Sequence, residues 1–249
     1  MIFNNKYNPH PNPTEKLKIN NISIDLVSEF NFLGVTIDNE LNWVAHTQKI
    51  NSKTSRTLGI LKKLKRIAPL SVLTTLYSTM ILTNFPYGIK AWGFAHSKLS
   101  TIQKKTIRII TNSKFNAHTD PLFKKLKLLK IQDIFKLSCL TFHYKLERRD
   151  LNLTPAYFQD LLARNWDIHR YPTRNYNIRV MPTNYVKSRE SIRHFLPELI
   201  LSLPDHLLKM IFDVSIVTFK YHVKQFFINE YYAVCPERFC KVCGTDILF

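Results

Sequence analysis

Lysine and arginine are the side chains whose number and spacing most clearly suggest a chemistry in this sequence. The 249 residues contain 36 lysines and arginines against 18 aspartates and glutamates, which gives a formal net charge of +18. Residues 41–130 carry 17 of these basic side chains and a single acid, Asp120. Because a charge of this size repels itself in a folded protein, an anionic partner is its simplest explanation, nucleic acid first and an anionic membrane second.

Ten of these cations are the candidate contacts for a sugar-phosphate backbone. Apolar residues recur every three or four positions between them, which predicts amphipathic helices with basic outer faces. Solvated helix faces usually mix both signs of charge, so we favour nucleic-acid contact over a face that is only solvated. The candidates are Lys49, Lys53, Arg56, Lys62, Lys63, Lys65, Arg66, Lys104, Lys105 and Arg108.

The acidic residues are too few and too scattered to suggest catalysis. A polymerase transfers nucleotides with two metal ions that two or three carboxylates hold. No two aspartates are adjacent in this sequence, and it has no GxSxG, HExxH or P-loop motif. We therefore predict no catalytic residue and no cofactor in this chain.

The cysteines near the end are a weak candidate for a metal site. Cys235, Cys240 and Cys243 have the spacing of part of a zinc site, but closure needs a fourth ligand, and His222 is the nearby candidate. Because His222 falls on a predicted helix, we favour cysteines that bind no metal. The remaining cysteine, Cys139, lies on an apolar helix stripe and is expected to fill the core.

Composition and the first residues indicate the compartment. A hydrophobic content of 45% and an aromatic content of 12% are typical of a folded protein. The four cysteines form no disulfide framework, no signal peptide opens the chain, and the apolar run near 70–85 is too short and threonine-rich to span a bilayer. We expect an intracellular protein, nuclear or cytoplasmic, without a membrane partner.

Short strands are expected before the basic stretch and helices after it. Asn20-Asn21 favours a hairpin turn, and Gly34 stands where a second turn needs a residue without a Cβ. Ser97 and Asp120 are expected to cap helices. The predicted elements are helices at 41–67, 69–84, 98–111, from 121, 131–146, 157–162 and 209–228, with a strand at 176–180. The fold class is therefore mainly α with a small N-terminal β portion.

A string of the form FLGV-x-ID-x-x-L-x-W-x-x-H stands at residues 32–46. It resembles the primer-grip segment and the start of the thumb in the reverse transcriptases of non-LTR (LINE, jockey-type) retrotransposons. The matching residues are Phe32, Leu33, Gly34, Val35, Ile37, Asp38, Leu41, Trp43 and His46.

Further motifs of the same family follow at similar spacing. The family's Y-x-x-x-x-W-G string corresponds to residues 87–93, and its LQKKAIRII, H-TDPLF and LKLLKL-x-DI strings correspond to 102–110, 118–123 and 126–134. An H-x-Y-x-TR motif matches 169–174, whereas the segment from Ser191 to Pro204 lacks the family's tryptophan. The resemblance covers nearly the whole chain and is densest from 30 to 135.

The resemblance implies a fragment of an RNA-directed DNA polymerase that acts in target-primed reverse transcription. It implies that Phe32, Leu33 and Gly34 form the primer grip. It divides the chain into palm-edge strands at 1–40, a helical thumb-like bundle at 41–150 and a mixed C-terminal extension at 151–249. Met1 and Phe3 match the end of a family string that closes the palm, so we expect the chain to start just after the catalytic part.

The same resemblance implies the partners. A thumb binds RNA and DNA as an RNA–DNA template-primer duplex, and the remainder of the reverse transcriptase would be a protein partner. The family's catalytic Y-x-DD motif has no counterpart here. A divalent metal is therefore expected only with the missing palm, and this chain alone is predicted to be inactive.

Two alternative functions remain open. The chain can be a stand-alone basic module, derived from such an element, that binds nucleic acid, or a non-catalytic protein-interaction module whose charge is incidental. The roles of two individual motifs also remain open. Tyr87 and Trp92 can pack in the core or stack on bases, with packing favoured, and the loop at 169–174 can contact RNA or be structural.

Overall fold

The computed structural model describes residues 18–148 and 190–232, together with positions 3, 162, 178, 180, 182 and 184. This part of the chain is mainly helical with a small N-terminal β portion, so the predicted fold class is confirmed. The loop at 169–174 and the three tail cysteines lie outside the described residues, as does most of the helix predicted at 157–162 and of the strand predicted at 176–180.

Two antiparallel hairpins open the described chain. Strands β1 (Lys18–Ile19) and β2 (Ile22–Ser23) are joined by Asn20-Asn21, whose φ angles are 49° and 66°. Strands β3 (Glu29–Phe32) and β4 (Val35–Asp38) are joined by Leu33-Gly34, with φ angles of 48° and 83°. Positive φ at both central residues matches the right-handed twist of paired strands. Both predicted turns are confirmed.

Helix α1 (Val44–Leu64) is shorter than the predicted 41–67 at both ends. The carboxylate of Asp38 accepts three backbone N–H groups between residues 40 and 43, at 3.1, 3.0 and 2.8 Å. These bonds hold Leu41 and Trp43 in left-handed conformations, with φ of 54° and 61°, and the helix can begin only after them. Asp38 is thus a structural carboxylate.

The second predicted helix is a continuous helical run that changes its hydrogen bonding. Helix α2 (Leu70–Leu76) continues as a π-helical turn at Tyr77–Ile81 and a 3-10 turn at Leu82–Asn84. Pro69, predicted in the first turn, precedes the helix with an extended backbone. Helix α3 (Ile89–Trp92) and a 3-10 turn at Gly93–Ala95 follow.

Helices α4 (Ser97–Ile110), α5 (Asp120–Leu126) and α6 (Ile131–Glu147) complete the first half. The predicted caps Ser97 and Asp120 are wrong, because each is the first helical residue and the preceding residue is the cap. Asp120 instead lies 2.8 Å from Lys130 Nζ, in an ion pair that joins α5 to the start of α6.

Within residues 190–232 there are three further helices: α7 (Ile192–Leu201), α8 (Asp205–Asp213) and α9 (Ile216–Asn229). The single helix predicted at 209–228 is wrong. Val214 is extended, with φ −119° and ψ 165°, and Ser215 Oγ accepts the Thr218 N–H at 3.3 Å. A serine cap therefore starts a new helix inside an apolar pattern that looks continuous.

One buried apolar cluster runs from α1 to the residues after α9, and it includes Leu61, Trp92 and Phe219, all fully buried. Cys139 is also fully buried, which confirms its predicted core position, and burial raises the pKa of its thiol to about 12. Gly93 is required by packing, because a Cβ there would lie 2.2 Å from Phe135 Cδ2.

Candidate nucleic-acid interface

Helix α1 sorts its cations onto two faces. Its buried residues are His46, Thr47, Ile50, Thr54, Thr57 and Leu61, which form the stripe that faces the core. At about 100° per residue, Lys49, Lys53, Arg56 and Lys63 fall on one flank of this stripe, while Lys62 falls on the other. The sequence pattern had placed all of them on one basic surface.

Helix α4 packs against α1 and completes a cleft on the second flank. Four of the candidate cations, Lys62, Lys65, Lys105 and Arg108, line a cavity of about 210 Å³ between the two helices. The other lining residues are Leu58, Ile109, Ser113 and Phe115. We call this site the α1–α4 cleft.

Two of the four cleft cations also hold the loop that follows α4. Lys65 Nζ donates to Asn112 Oδ1 at 3.1 Å, and Arg108 Nε donates to the Ala117 carbonyl at 2.8 Å. Partial burial lowers the pKa of the Arg108 guanidinium. Since arginine presents five N–H donors, this single bond leaves others for a phosphate. Lys62 and Lys105 are exposed.

The other six candidates lie outside the cleft lining. Lys49 Nζ donates to Thr36 Oγ1 at 2.9 Å, so this lysine links α1 to strand β4. The remaining five are all exposed to solvent: Lys53, Arg56, Lys63, Arg66 and Lys104. The ten predicted contacts therefore comprise one converging group of four, one lysine held by the hairpin, and five dispersed surface cations.

The turn predicted as the primer grip projects into solvent. Phe32 is 56% exposed and Leu33 is 74% exposed. The Tyr87 hydroxyl donates to the Leu33 carbonyl, and Trp92 Nε1 donates to the Tyr87 carbonyl at 2.8 Å. Trp92 is fully buried, which confirms packing as its role, and Tyr87 connects it to the turn.

The β3–β4 hairpin is fixed to α1 through a neutral histidine. The Thr36 N–H donates to His46 Nδ1 at 3.3 Å, and the His46 ring meets Trp92 edge-on at 5.5 Å. Burial, and next the nearby charge of Lys49, lower the pKa of His46. Because Nδ1 accepts the bond from Thr36, the neutral ring carries its proton on Nε2, which is buried without a hydrogen-bond partner among the described residues. A second proton would have to go to Nδ1 and would displace the bond from Thr36.

Two important residues were missed by sequence reasoning. Gln103 is buried, and its side chain donates to the Tyr77 hydroxyl at 2.8 Å and the Leu129 carbonyl at 3.0 Å, and accepts the Ile131 N–H at 2.8 Å. Phe115 is 82% exposed at the edge of the cleft. Its position as a lone aromatic in the polar segment Lys114-Phe115-Asn116 was a signal that could have found it.

The described part of the chain contains neither a metal site nor a membrane-spanning helix. Within 18–148, 190–232 and the isolated described positions, no group of three or more His, Cys, Asp or Glu side chains could hold a metal ion. None of the helices described combines the length and apolar character needed to cross a membrane.

The chain is similar to a polymerase from a mobile element. Over 133 residues it is 28% identical to the "Probable RNA-directed DNA polymerase from transposon X-element" of Drosophila melanogaster. The aligned segment is 50% of this chain and 14% of that protein. No family model and no solved structure matches the chain. The similarity supports a region related to retrotransposon reverse transcriptases, in agreement with the motif resemblance.

Proposed function

We propose that this chain is part of the RNA-directed DNA polymerase of a non-LTR retrotransposon and that its basic helices bind the template-primer duplex. The α1–α4 cleft carries the proposal, because cations from two helices converge there around one cavity. Lysines and arginines that neutralise phosphates release counterions, and this release makes binding strong at low salt and independent of base sequence.

In this proposal α1, α4 and the helices between them act as the thumb. The two flanks of α1 provide two contact surfaces for the duplex. One is the cleft, and the other is the stripe of Lys53, Arg56 and Lys63. The turn at Phe32, Leu33 and Gly34 would contact the primer end, and its exposed tip supports that role.

The N-terminal hairpins would pack against the remainder of the polymerase. Outside the turn at 32–34, the large apolar side chains exposed there are Ile19, Ile22, Ile24, Leu26, Val27 and Phe30. Exposed apolar residues this close together usually mark an interaction surface. The catalytic carboxylates and their divalent metal ions would belong to that remainder, so the chain alone is expected to extend no primer in a polymerase assay.

The test is the salt dependence of binding to an RNA–DNA duplex. The variant Lys62→Glu/Lys105→Glu changes one cation on each wall of the cleft. We expect it to weaken binding for duplexes of any sequence and to lower the slope of log K against log salt by about two, one for each lost phosphate contact. Fluorescence anisotropy over a salt series measures both effects.

The matched control is Lys209→Glu/Lys220→Glu, which alters the net charge equally at two exposed lysines of α8 and α9. If binding depends only on the net charge of the protein, both variants will weaken it equally. That result would contradict the cleft assignment. Absent or salt-independent binding by the wild-type chain would instead favour a protein-interaction module.

A further inference from the structure

Phe115 is the most exposed aromatic side chain beside the α1–α4 cleft, at 82%. A single exposed apolar residue is ordinary on a protein surface and indicates nothing by itself. Here, however, the ring lines the same cavity as Lys62, Lys65, Lys105 and Arg108. The four cations beside the ring, and not the exposure of the ring, indicate a ligand.

The loop that carries Phe115 is tied down on both sides of it. Before Phe115, the Ser113 N–H donates to the Arg108 carbonyl at 2.9 Å, and Asn112 accepts the bond from Lys65. After Phe115, the Ala117 carbonyl accepts the bond from Arg108 Nε. Two of the cleft cations thus hold the loop, which presents the aromatic ring at a defined place beside the positive charge.

This combination of side chains matches the chemistry of one nucleotide. The aromatic ring offers a planar face for stacking, Leu58 and Ile109 offer an apolar wall, and the cations offer donors for phosphate oxygens. The bases of an intact duplex are stacked on one another, so only an unpaired base can expose its face to Phe115. The volume of about 210 Å³ is below the roughly 300–1,000 Å³ of sites for drug-sized ligands, which suits a single base or ribose-phosphate unit.

We propose that the α1–α4 cleft binds one unpaired nucleotide of a nucleic-acid strand, with Phe115 stacked on its base and the four cations around its phosphates. This inference rests on the proposed nucleic-acid binding. It adds that the bound nucleic acid contains an unpaired nucleotide. The preferred ligand is a duplex with an unpaired nucleotide beside it, rather than a blunt duplex.

The experiment compares two RNA–DNA duplexes with the full chain. One duplex is blunt, and the other carries a short unpaired overhang that contains 2-aminopurine, whose fluorescence falls when it stacks. We expect tighter binding of the overhang duplex and quenching of its fluorescence. Phe115→Ala should weaken binding of the overhang duplex by about 5- to 150-fold, the range for loss of one base-stacking aromatic, and should abolish the quenching.

The controls separate stacking from general effects. Phe115→Trp should restore both affinity and quenching, because indole also stacks on bases. Tyr221→Ala removes another exposed aromatic, on α9, and should change neither. Binding of the blunt duplex should be equal in wild type and Phe115→Ala, and thermal melts should coincide because Phe115 is outside the core.

Each contrary outcome has a distinct meaning. If Phe115→Ala binds both duplexes as wild type does, or loses affinity equally for both, the stacking site is wrong while salt-dependent duplex binding, and so the proposed function, stands. If a free 2-aminopurine nucleoside triphosphate is quenched by the chain and competes with the overhang duplex at equal concentration, the site is for mononucleotides and the strand proposal is overturned. If neither duplex binds, the proposed function fails together with this inference.

Discussion

Two basic regions of this molecule contain the same types of side chain but differ in what those side chains contact. In the α1–α4 cleft, Lys62 and Lys105 are exposed around an open cavity. The second region joins α5 and α6 to Tyr231, the second residue after α9, and consists of Lys124, Lys130, Asp133 and Tyr231; we call it the C-terminal junction. Its cations are bound to internal partners, so they stabilise the fold.

The contacts of the C-terminal junction are partly buried, and the bond between Tyr231 and Asp133 is buried. Lys130 pairs with Asp120, and its Nζ lies 4.3 Å from the centre of the Tyr231 ring. The Tyr231 hydroxyl donates to Asp133 Oδ2 at 2.5 Å and accepts the Lys130 N–H at 3.1 Å. Lys124 Nζ donates to the Tyr231 carbonyl at 2.8 Å. Burial and the adjacent carboxylate of Asp133 raise the pKa of Tyr231.

The placement of acids separates the two regions. Asp120 is the single acid between residues 41 and 130, and it pairs with Lys130 at the C-terminal junction. The cations of the cleft therefore have no acid from their own stretch of chain to neutralise them. Clusters of unneutralised cations favour an anionic ligand, whereas neutralised ones act as internal contacts.

The largest expected effect on stability is that of Tyr231→Phe at the C-terminal junction. Asp133 is buried, and losing the hydroxyl removes a short hydrogen bond to its carboxylate. We expect the free energy of unfolding to fall by about 2 kcal/mol, measured by urea denaturation, with duplex binding unchanged. Tyr232→Phe, at a neighbouring exposed tyrosine, is the control. Loss of binding in Tyr231→Phe would show that the two regions are not independent.

A smaller effect is expected from one matched lysine substitution in each region. Lys130→Met loses an ion pair and a cation–π contact, so unfolding should become easier by about 1 kcal/mol. Lys62→Met should change stability by less than about 0.5 kcal/mol, because the residue is exposed. It should instead lower the salt slope of duplex binding by about one. The reverse result for either variant would refute the distinction between the regions.

The smallest expected effect is the pH dependence of the link between hairpin and α1. The pKa of His46 is lowered from its ordinary value of 6.5, so the unfolded chain binds a proton more readily than the folded protein does. The contribution of neutral His46 is complete above pH 6.5 and is lost as pH falls toward the lower folded pKa. His46→Gln should flatten this part of the stability profile, as measured by denaturation on both sides of that pH. If the pH dependence of stability is the same in His46→Gln and in wild type, groups other than His46 cause it.

Local sequence signals predicted much of the fold and part of the site. The turns at Asn20-Asn21 and Gly34 follow from residues that tolerate positive φ, and the helices follow from apolar spacing. The same spacing failed at Val214-Ser215, where a local cap interrupts an apolar periodicity that continues across it. It also placed the start of α1 too early, since the bonds of Asp38 to the following backbone leave no mark on periodicity.

The sequence by itself determined that a long basic stretch with almost no acids would lie on helices, because charge and apolar spacing are local properties. Only the tertiary structure decided which cations meet. Lys62 and Arg108 are brought to one cavity by the packing of α1 on α4, and Phe115 reaches it through a loop that two cations hold. Helix spacing assigns a side chain to a face, but the neighbour of that face depends on contacts between residues that are distant along the chain.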